Sequence, residues 1–340
     1  MHQMSAASVM TKRLTTDLPR RRLMKLAISA LALPALALNA HALTYPARPV
    51  RLIVGYAPGG ATDITARLIA QRLAERMGQQ FIVENRPGAT TNLATEQVVR
   101  AAPDGYTLLI ATAANAINAS LFEKLNFDFV QDMTPVAGVI RMQNVLEVHP
   151  SVPVGTVAEL ITYAKANPDR LIVGSAGNGS PGHVSAELLR MMTGIKMLHI
   201  PYRGIAPALT DLLGGRIHVL FDNMATAIEH IQSGKVRALA VTTVFRSPLL
   251  PNLPTIADSV PGYEASSWYG VTAPKGAPSE IVDALNAEIN AALADATILS
   301  RFEALGGLPL AGSAADFGKL IKDETEKWSK VVRFAGAKPD

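Results

Sequence analysis

The residues best suited to chemistry lie in two glycine-rich turns. The first is Tyr56-Ala57-Pro58-Gly59-Gly60-Ala61-Thr62-Asp63. It follows an apolar run, Val50 to Gly55, that reads as a buried strand. It precedes a helical pattern from Ile64 to Met77 with Leu68, Ile69 and Leu73 on one face. The second turn spans Gly174 to Gly182, between the strand pattern Leu171-Ile172-Val173 and the helical pattern from His183 to Thr193. In such a unit the glycines let the backbone approach a ligand closely. The following helix points its free N–H groups and the positive end of its dipole into the same turn. That arrangement binds carboxylate or phosphate without a basic side chain, although the same unit also serves as a plain strand-to-helix connection.

Other chemistries find little support. Gly177, Gly179 and Gly182 match a dinucleotide-binding G-x-G-x-x-G. The next strand, however, ends at His199-Ile200-Pro201-Tyr202-Arg203, without the acid that would hold a ribose. Pro181 suits the first turn of a helix. No serine sits in G-x-S-x-G, so a nucleophile elbow is absent. No H-E-x-x-H or close His/acid cluster points to a metal. There is no cysteine, which removes disulfides and thiol chemistry. Neither cofactor nor metal is expected, and the chain reads as a non-enzyme.

From Tyr45 onward strand and helix patterns alternate, predicting an α/β protein with largely parallel sheets. Strands are predicted at Gln80–Glu84, Tyr106–Ile110, Lys196–Ile200, Ile217–Phe221 and Val236–Thr242, with one or two more within Val136–Val148. Residues 119–135 read as irregular connections with short helices. Phe245 to Tyr263 is a proline-rich connection, and Trp268 to Val271 reads as a strand returning to the first domain. Two amphipathic helices, Ser279–Ala294 and Ala314–Ala335, close the chain. In open α/β sheets ligands sit beyond the carboxyl ends of strands. Two domains facing each other would therefore bring both turns into one cleft, with two helix N-termini gripping one anion.

Several side chains fall at such strand ends. Tyr56 suits stacking on a ligand or packing in its turn. Thr62 and Asp63 suit a ligand-facing turn or a simple helix start. Thr112 and Asn115 end a strand on the cleft side. Tyr202 is placed to reach a distal group or to pack. Asp222 and Asn223 read as cleft wall or hinge, His183 as structural, and Trp268 as a hinge packer.

The chain has 340 residues, 49% apolar and 18% charged, which suits two globular domains with a sizeable core. Its formal net charge of +4 is concentrated at the beginning. Residues 1–42 hold Lys12, Arg13, Arg20, Arg21, Arg22 and Lys25 against Asp17, so 26 basic and 27 acidic residues remain beyond them. A near-neutral remainder argues against a nucleic-acid partner. Those 42 residues read as an export signal. A basic segment carrying a twin-arginine-like Arg20-Arg21-Arg22-Leu23-Met24-Lys25 precedes the apolar Leu26 to Leu38, which is too short to span a bilayer. Ala40-His41-Ala42 then forms an A-x-A cleavage site. Sec and Tat routes both stay open, and a periplasmic location follows from either.

Further sequence features carry a resemblance. They are Val83-Glu84-Asn85-Arg86-Pro87-Gly88, Ala102-Pro103-Asp104-Gly105-Tyr106, Ser175-Ala176-Gly177-Asn178-Gly179, Pro201-Tyr202-Arg203-Gly204, Asp211-Leu212-Leu213-Gly214-Gly215 and Phe221-Asp222-Asn223. With the first turn, they resemble the Bug-type (TctC-like) periplasmic solute-binding proteins of tripartite tricarboxylate transporters, from about Tyr45 to the end. The resemblance implies a type II periplasmic binding protein, a two-domain clamshell with its ligand in the interdomain cleft. It implies one domain from residues 43–143 plus 267–340 and a second, inserted domain over 144–266. It implies a monomer that binds a small di-, tri- or aromatic carboxylate for membrane permease subunits, with a periplasmic sensing partner as the alternative role. Backbone groups and waters at the two turns would hold the proximal carboxylate. That maps to Gly60, Ala61, Thr62 and Asp63 on one side and Ala176, Asn178, Gly179 and Ser180 on the other. Ala57 and Ala61 replace a proline and a serine common in the family. Thr90-Thr91 replaces a glycine pair. Ala113 and Ala114 give a less polar wall, which favours a longer or more apolar acid.

Overall fold

The computed structural model describes residues 45–339. The candidate export signal lies outside the described residues. Two mixed sheets form two lobes. The first contains β1 (Val50–Val54), β2 (Phe81–Asn85), β3 (Thr107–Thr112), β4 (Met133–Met142), β10 (Ser267–Pro274) and β11 (Gly307–Pro309), in the order β11-β4-β10-β3-β1-β2. The second contains β5 (Asn144–Val148), β6 (Ile172–Ser175), β7 (Leu198–Pro201), β8 (Val219–Asn223) and β9 (Arg237–Val241), in the order β7-β6-β8-β5-β9.

Helices connect the strands. They are α1 (Ala61–Met77), α2 (Asn92–Val99), α3 (Ala113–Leu121), α4 (Phe129–Asp132), α5 (Val157–Ala166), α6 (Pro181–Thr193), α7 (Ile205–Leu213), α8 (Met224–Gln232), α9 (Ser279–Leu293), α10 (Ala296–Ala304) and α11 (Ala314–Ala335). The central strands β1 and β3 are apolar on both faces and buried. Thus Leu52, Ile53 and Val54 of β1 and Leu108 and Leu109 of β3 are fully buried.

The sheets are less parallel than the alternation predicts. β1 pairs in parallel with β2 and β3, but β10 runs antiparallel between β3 and β4. In the second sheet β5 runs antiparallel to both β8 and β9. The physical reason is the crossover. The chain leaves the first sheet at Met142, enters the second at Asn144, and returns at Ser267, so the connecting strands need no helix between them. The crossovers are tied by Asn144 N–H to Thr242 Oγ1 (3.3 Å) and by Gln143 Nε2 to Thr243 Oγ1 (3.1 Å).

One apolar cluster runs through both lobes, from Leu109 and Ile117 through Leu146, Val173 and Phe221 to Trp268 and Trp328. Both indoles donate to Glu324 Oε2, at 3.3 Å from Trp268 and 2.8 Å from Trp328, and Trp268 meets Phe317 edge-on at 5.6 Å. Helix α3 occupies part of a stretch that reads as a strand end and irregular connection. Thr112 caps it, and Asn115 returns the bond to Thr112 N–H at 2.8 Å.

Candidate functional site

The first turn is built by Asp63. Its carboxylate is buried and accepts from Gly59 N–H (2.9 Å), Arg67 Nε (3.0 Å) and Asn85 Nδ2 (2.9 Å). Asn85 Nδ2 also donates to Tyr56 O at 3.0 Å. Burial works to raise the Asp63 pKa, but the bonds from Arg67, Gly59 and Asn85 outweigh it and hold the group below the usual carboxylate range. Asp63 therefore shapes the turn from behind, and Gly59 takes the positive φ of +89° that the turn needs. Replacing Asp63 by Ala is expected to cost about 2 kcal/mol, because Gly59 N–H and Asn85 Nδ2, which shape the turn, lose a charged acceptor. Chemical denaturation at neutral pH checks this. The loss should vanish in acid, where falling pH through the depressed folded pKa removes the carboxylate's contribution in the wild type as well.

In front of Asp63, helix α1 starts at Ala61 with Gly60 as its N-cap. Gly60 brings no side chain to the first-turn N–H groups. Thr62 of this turn lines a cavity of about 180 Å³ that takes residues from both sheets. Five helices begin there. Thr62 lies in the first turn of α1, Thr112 caps α3, and Ala113 and Ala114 open it. Ser180, Pro181 and Gly182 begin α6, Ile205 is the first residue of α7, and Asn223 is the N-cap of α8. The remaining lining comes from Tyr56, Asn144, Ala176, Phe221, Ser267 and Tyr269. No Lys, Arg or His lines the cavity. The helix starts at its walls supply positive partial charge from peptide dipoles.

Hydroxyls complete the polar lining. Tyr56 Oη lies 3.5 Å from Thr112 Oγ1, and burial pushes its pKa up to about 12. Burial also raises the Tyr269 pKa, while its bond to Thr62 opposes the shift. Both tyrosines are thus neutral O–H groups at physiological pH.

Of the residues singled out from sequence, Tyr56, Thr62, Thr112, Ala176 and Ser180 line this cavity. Gly60, Ala61 and Asp63 stand behind or beside its rim in the first turn, Asp63 spent on the turn itself. Asn115 caps α3 and donates to Thr95 Oγ1 at 2.8 Å. Asn178 and Gly179 lie in the second turn without lining the cavity, and the Gly179 N–H donates to His183 Nδ1 at 3.0 Å. Tyr202 donates its hydroxyl to Asp211 Oδ2 at 2.7 Å within the second lobe.

Asp222 is buried behind the wall formed by Phe221 and Asn223. Its Oδ1 accepts the Asn223 N–H at 2.6 Å, and burial pushes its pKa up to about 6. Ser267 and Tyr269 had no expected role. The signal for them is their two-residue alternation on a strand whose register sets Tyr269 beside Thr112.

Two larger surface hollows, of about 560 and 570 Å³, lie along β9 and beside α11. Neither gathers helix N-termini. Among the described residues no group of three or more His, Cys, Asp or Glu side chains could hold a metal, and no helix is long and apolar enough to cross a membrane.

Comparison with known proteins agrees with this geometry. Residues 65–336 match the model of the tripartite tricarboxylate transporter family receptor. Protein BugT of Bordetella pertussis (strain Tohama I) is 38% identical over 298 residues, covering 87% of this chain and 91% of BugT. The solved structure of R. palustris Rpa4515 with adipate is 42% identical, with a TM-score of 0.75, covering 87% of this chain and all of that one. MatC (Rpa3494) from Rhodopseudomonas palustris with bound malate is 33% identical, with a TM-score of 0.71, covering 85% and 100%. A two-lobed α/β chain with a cleft of this build, matched along most of its length by these proteins, belongs to the TctC family of tripartite tricarboxylate transporter receptors, the periplasmic solute-binding proteins of the Bug type.

Proposed function

We propose that this chain is a non-enzymatic periplasmic receptor that captures a small dicarboxylate in the 180 Å³ cavity and presents it to the membrane subunits of a tripartite-type transporter. The observation that carries this reading is the convergence of five helix N-termini on a cavity with no basic side chain. Such a cage suits a carboxylate, whose charge would be met by backbone N–H groups and neutral hydroxyls. We divide the chain functionally into residues 43–143 with 267–340, which carry α1 and α3, and residues 144–266, which carry α6, α7 and α8. A ligand touching both groups selects the arrangement in which they face each other. Residues 1–42 serve as the export signal.

The apolar wall of Ala113, Ala114, Pro181 and Phe221 favours a ligand with a methylene chain. The relatives solved with adipate and malate, both dicarboxylates, support the class. The test is a thermal-shift series on residues 43–340 with four- to eight-carbon diacids, malate, citrate, benzoate and ATP. A diacid at ~100 times its Kd stabilises by ~2.7 kcal/mol, and linear diacids are expected to shift the melt more than citrate or ATP. A response to ATP alone would replace this reading with a nucleotide site at Gly177–Gly182.

A further inference from the structure

Directly behind the second turn lies a stacked pair of histidines. His183 of α6 is 4% exposed, and its ring lies parallel to that of His199 of β7, with centroids 4.0 Å apart and planes inclined by 10°. His183 Nδ1 accepts the Gly179 N–H at 3.0 Å. An accepting Nδ1 carries no proton, so the neutral ring holds its proton on Nε2, which points toward Glu187 Oε1 at 3.9 Å. Glu187 is itself anchored by Arg190 Nη1 at 2.5 Å. Burial, with His199 and Arg190 nearby, pushes the His183 pKa down to about 3.

The second ring holds the other end of the same turn. His199 Nε2 lies 2.7 Å from Ser175 Oγ, and that oxygen accepts the Gly177 N–H at 3.2 Å. Gly177 and Gly179 have φ of +123° and +72°, so the turn needs both glycines and both amide anchors. Between and beside them, Ala176 and Ser180 face the cavity.

We propose that the His183–His199 stack is a positioning device for the ligand site: it fixes the Gly177 and Gly179 amides, and thereby sets Ala176 and Ser180 against the cavity, with His183 Nδ1 as the group the geometry depends on. Behind the first turn the corresponding acceptor is the Asp63 carboxylate, whose charge Arg67 balances. A neutral imidazole supplies the acceptor without the charge. The flat stack fixes the spacing of α6 from β7, which a flexible acceptor would not. The device also assigns the turn's donors. The Gly179 N–H is spent on His183, the Ser180 N–H on Gly177 O at 3.1 Å, and Pro181 has none. Within Gly179–Gly182 that leaves the Gly182 N–H and the Ser180 hydroxyl, which also accepts the His183 N–H at 3.4 Å, to face the cavity.

The proposal rests on the receptor reading only for its affinity readout, so two arms of the experiment need no ligand. In the wild-type protein, ¹⁵N spectra of the imidazoles should show His183 as the Nε2–H tautomer; a protonated Nδ1 overturns the proposal. Amide exchange is then compared in His183→Leu and His183→Asn, whose Oδ1 falls near the place of Nδ1. We expect Gly179 exchange to quicken at least tenfold in His183→Leu and to recover in His183→Asn, with the β8 amides protected in both. Unchanged Gly179 exchange in His183→Leu, or no recovery in His183→Asn, also overturns it. The third arm measures adipate affinity by calorimetry, with a loss of at least tenfold expected in His183→Leu and most of it regained in His183→Asn. If adipate and the other diacids fail to bind the wild type, the receptor reading fails, while the tautomer and exchange arms still decide the role of the histidines.

Discussion

Replacing Glu147 by Gln is expected to stabilise the protein above about pH 5, by an amount that grows as the pH rises. Glu147 stands on β5 in register with Leu220 of β8 and Ala238 of β9, and it is fully buried. Neither of its oxygens has a hydrogen-bond partner in the protein. Burial first, and then the nearby Asp222 carboxylate, push its pKa up to about 9. In the unfolded chain the same group titrates near its ordinary value of 4.5. Between those two values the folded protein keeps a proton that the unfolded chain has released. Stability therefore falls as pH rises from about 4.5 toward 9. Each pH unit in that window costs at most about 1.4 kcal/mol, so the penalty near pH 7.5 is on the order of 4 kcal/mol. Gln has nearly the same shape and does not titrate. Urea unfolding of both proteins at pH 5, 6, 7 and 8 should show curves that nearly coincide at pH 5 and diverge upward. A difference independent of pH would mean that Glu147 is already ionised in the folded state.

A Gly179→Ala substitution is expected to weaken ligand binding at least tenfold while lowering the melting temperature only a few degrees. Two effects combine. The residue has φ of +72°, where a Cβ costs about 1–2 kcal/mol. The added carbon would also lie 2.2 Å from Leu121 Cδ2 and 3.1 Å from its Cδ1. Leu121 ends α3, which starts at the opposite wall of the cavity, so the collision falls between the two lobes rather than inside either. The strain inside the turn is modest, whereas the collision acts on the approach that both walls need to touch one ligand. Gly60→Ala is the internal control. Its φ is −79°, and nothing lies within 4 Å of the added carbon. Calorimetric titration with the diacid that most stabilises the wild type, alongside thermal melts, separates the two variants. Wild-type affinity in Gly179→Ala would show that this approach does not govern binding.

Much of this architecture is legible in the sequence. The apolar run of β1, the Gly59-Gly60 punctuation and the period of α1 each state their own element, as do the turn and helix at Gly174–Thr193. What a local pattern does not state is which side chains a turn consumes. Asp63, Asn115 and Tyr202 each stand where a ligand contact is plausible. Each is occupied by its own neighbourhood, namely Gly59 and Asn85, the cap of α3, and Asp211. Ser267 and Tyr269 reach the cavity only because β10 pairs with β3, a register set by residues more than 150 positions apart. Helix α10 and strand β11 escaped notice because 296–309 lies between two strongly amphipathic helices and carries too short a pattern of its own.

The place of β10 in the first sheet has a consequence for how the chain assembles. It lies between β3 and β4, yet its residues are made only after the whole of the second sheet. The strands of the second sheet all fall within residues 144–241, so that lobe has what it needs once this segment exists. The first sheet would lack its middle until Ser267–Pro274 arrives, and Trp268 would lack Phe317 and Glu324 until α11 follows. Pairings of such long sequence separation form slowly because loop closure is paid before contacts reward it. The order of synthesis and the order of completion are thus inverted: the lobe begun first is the lobe finished last.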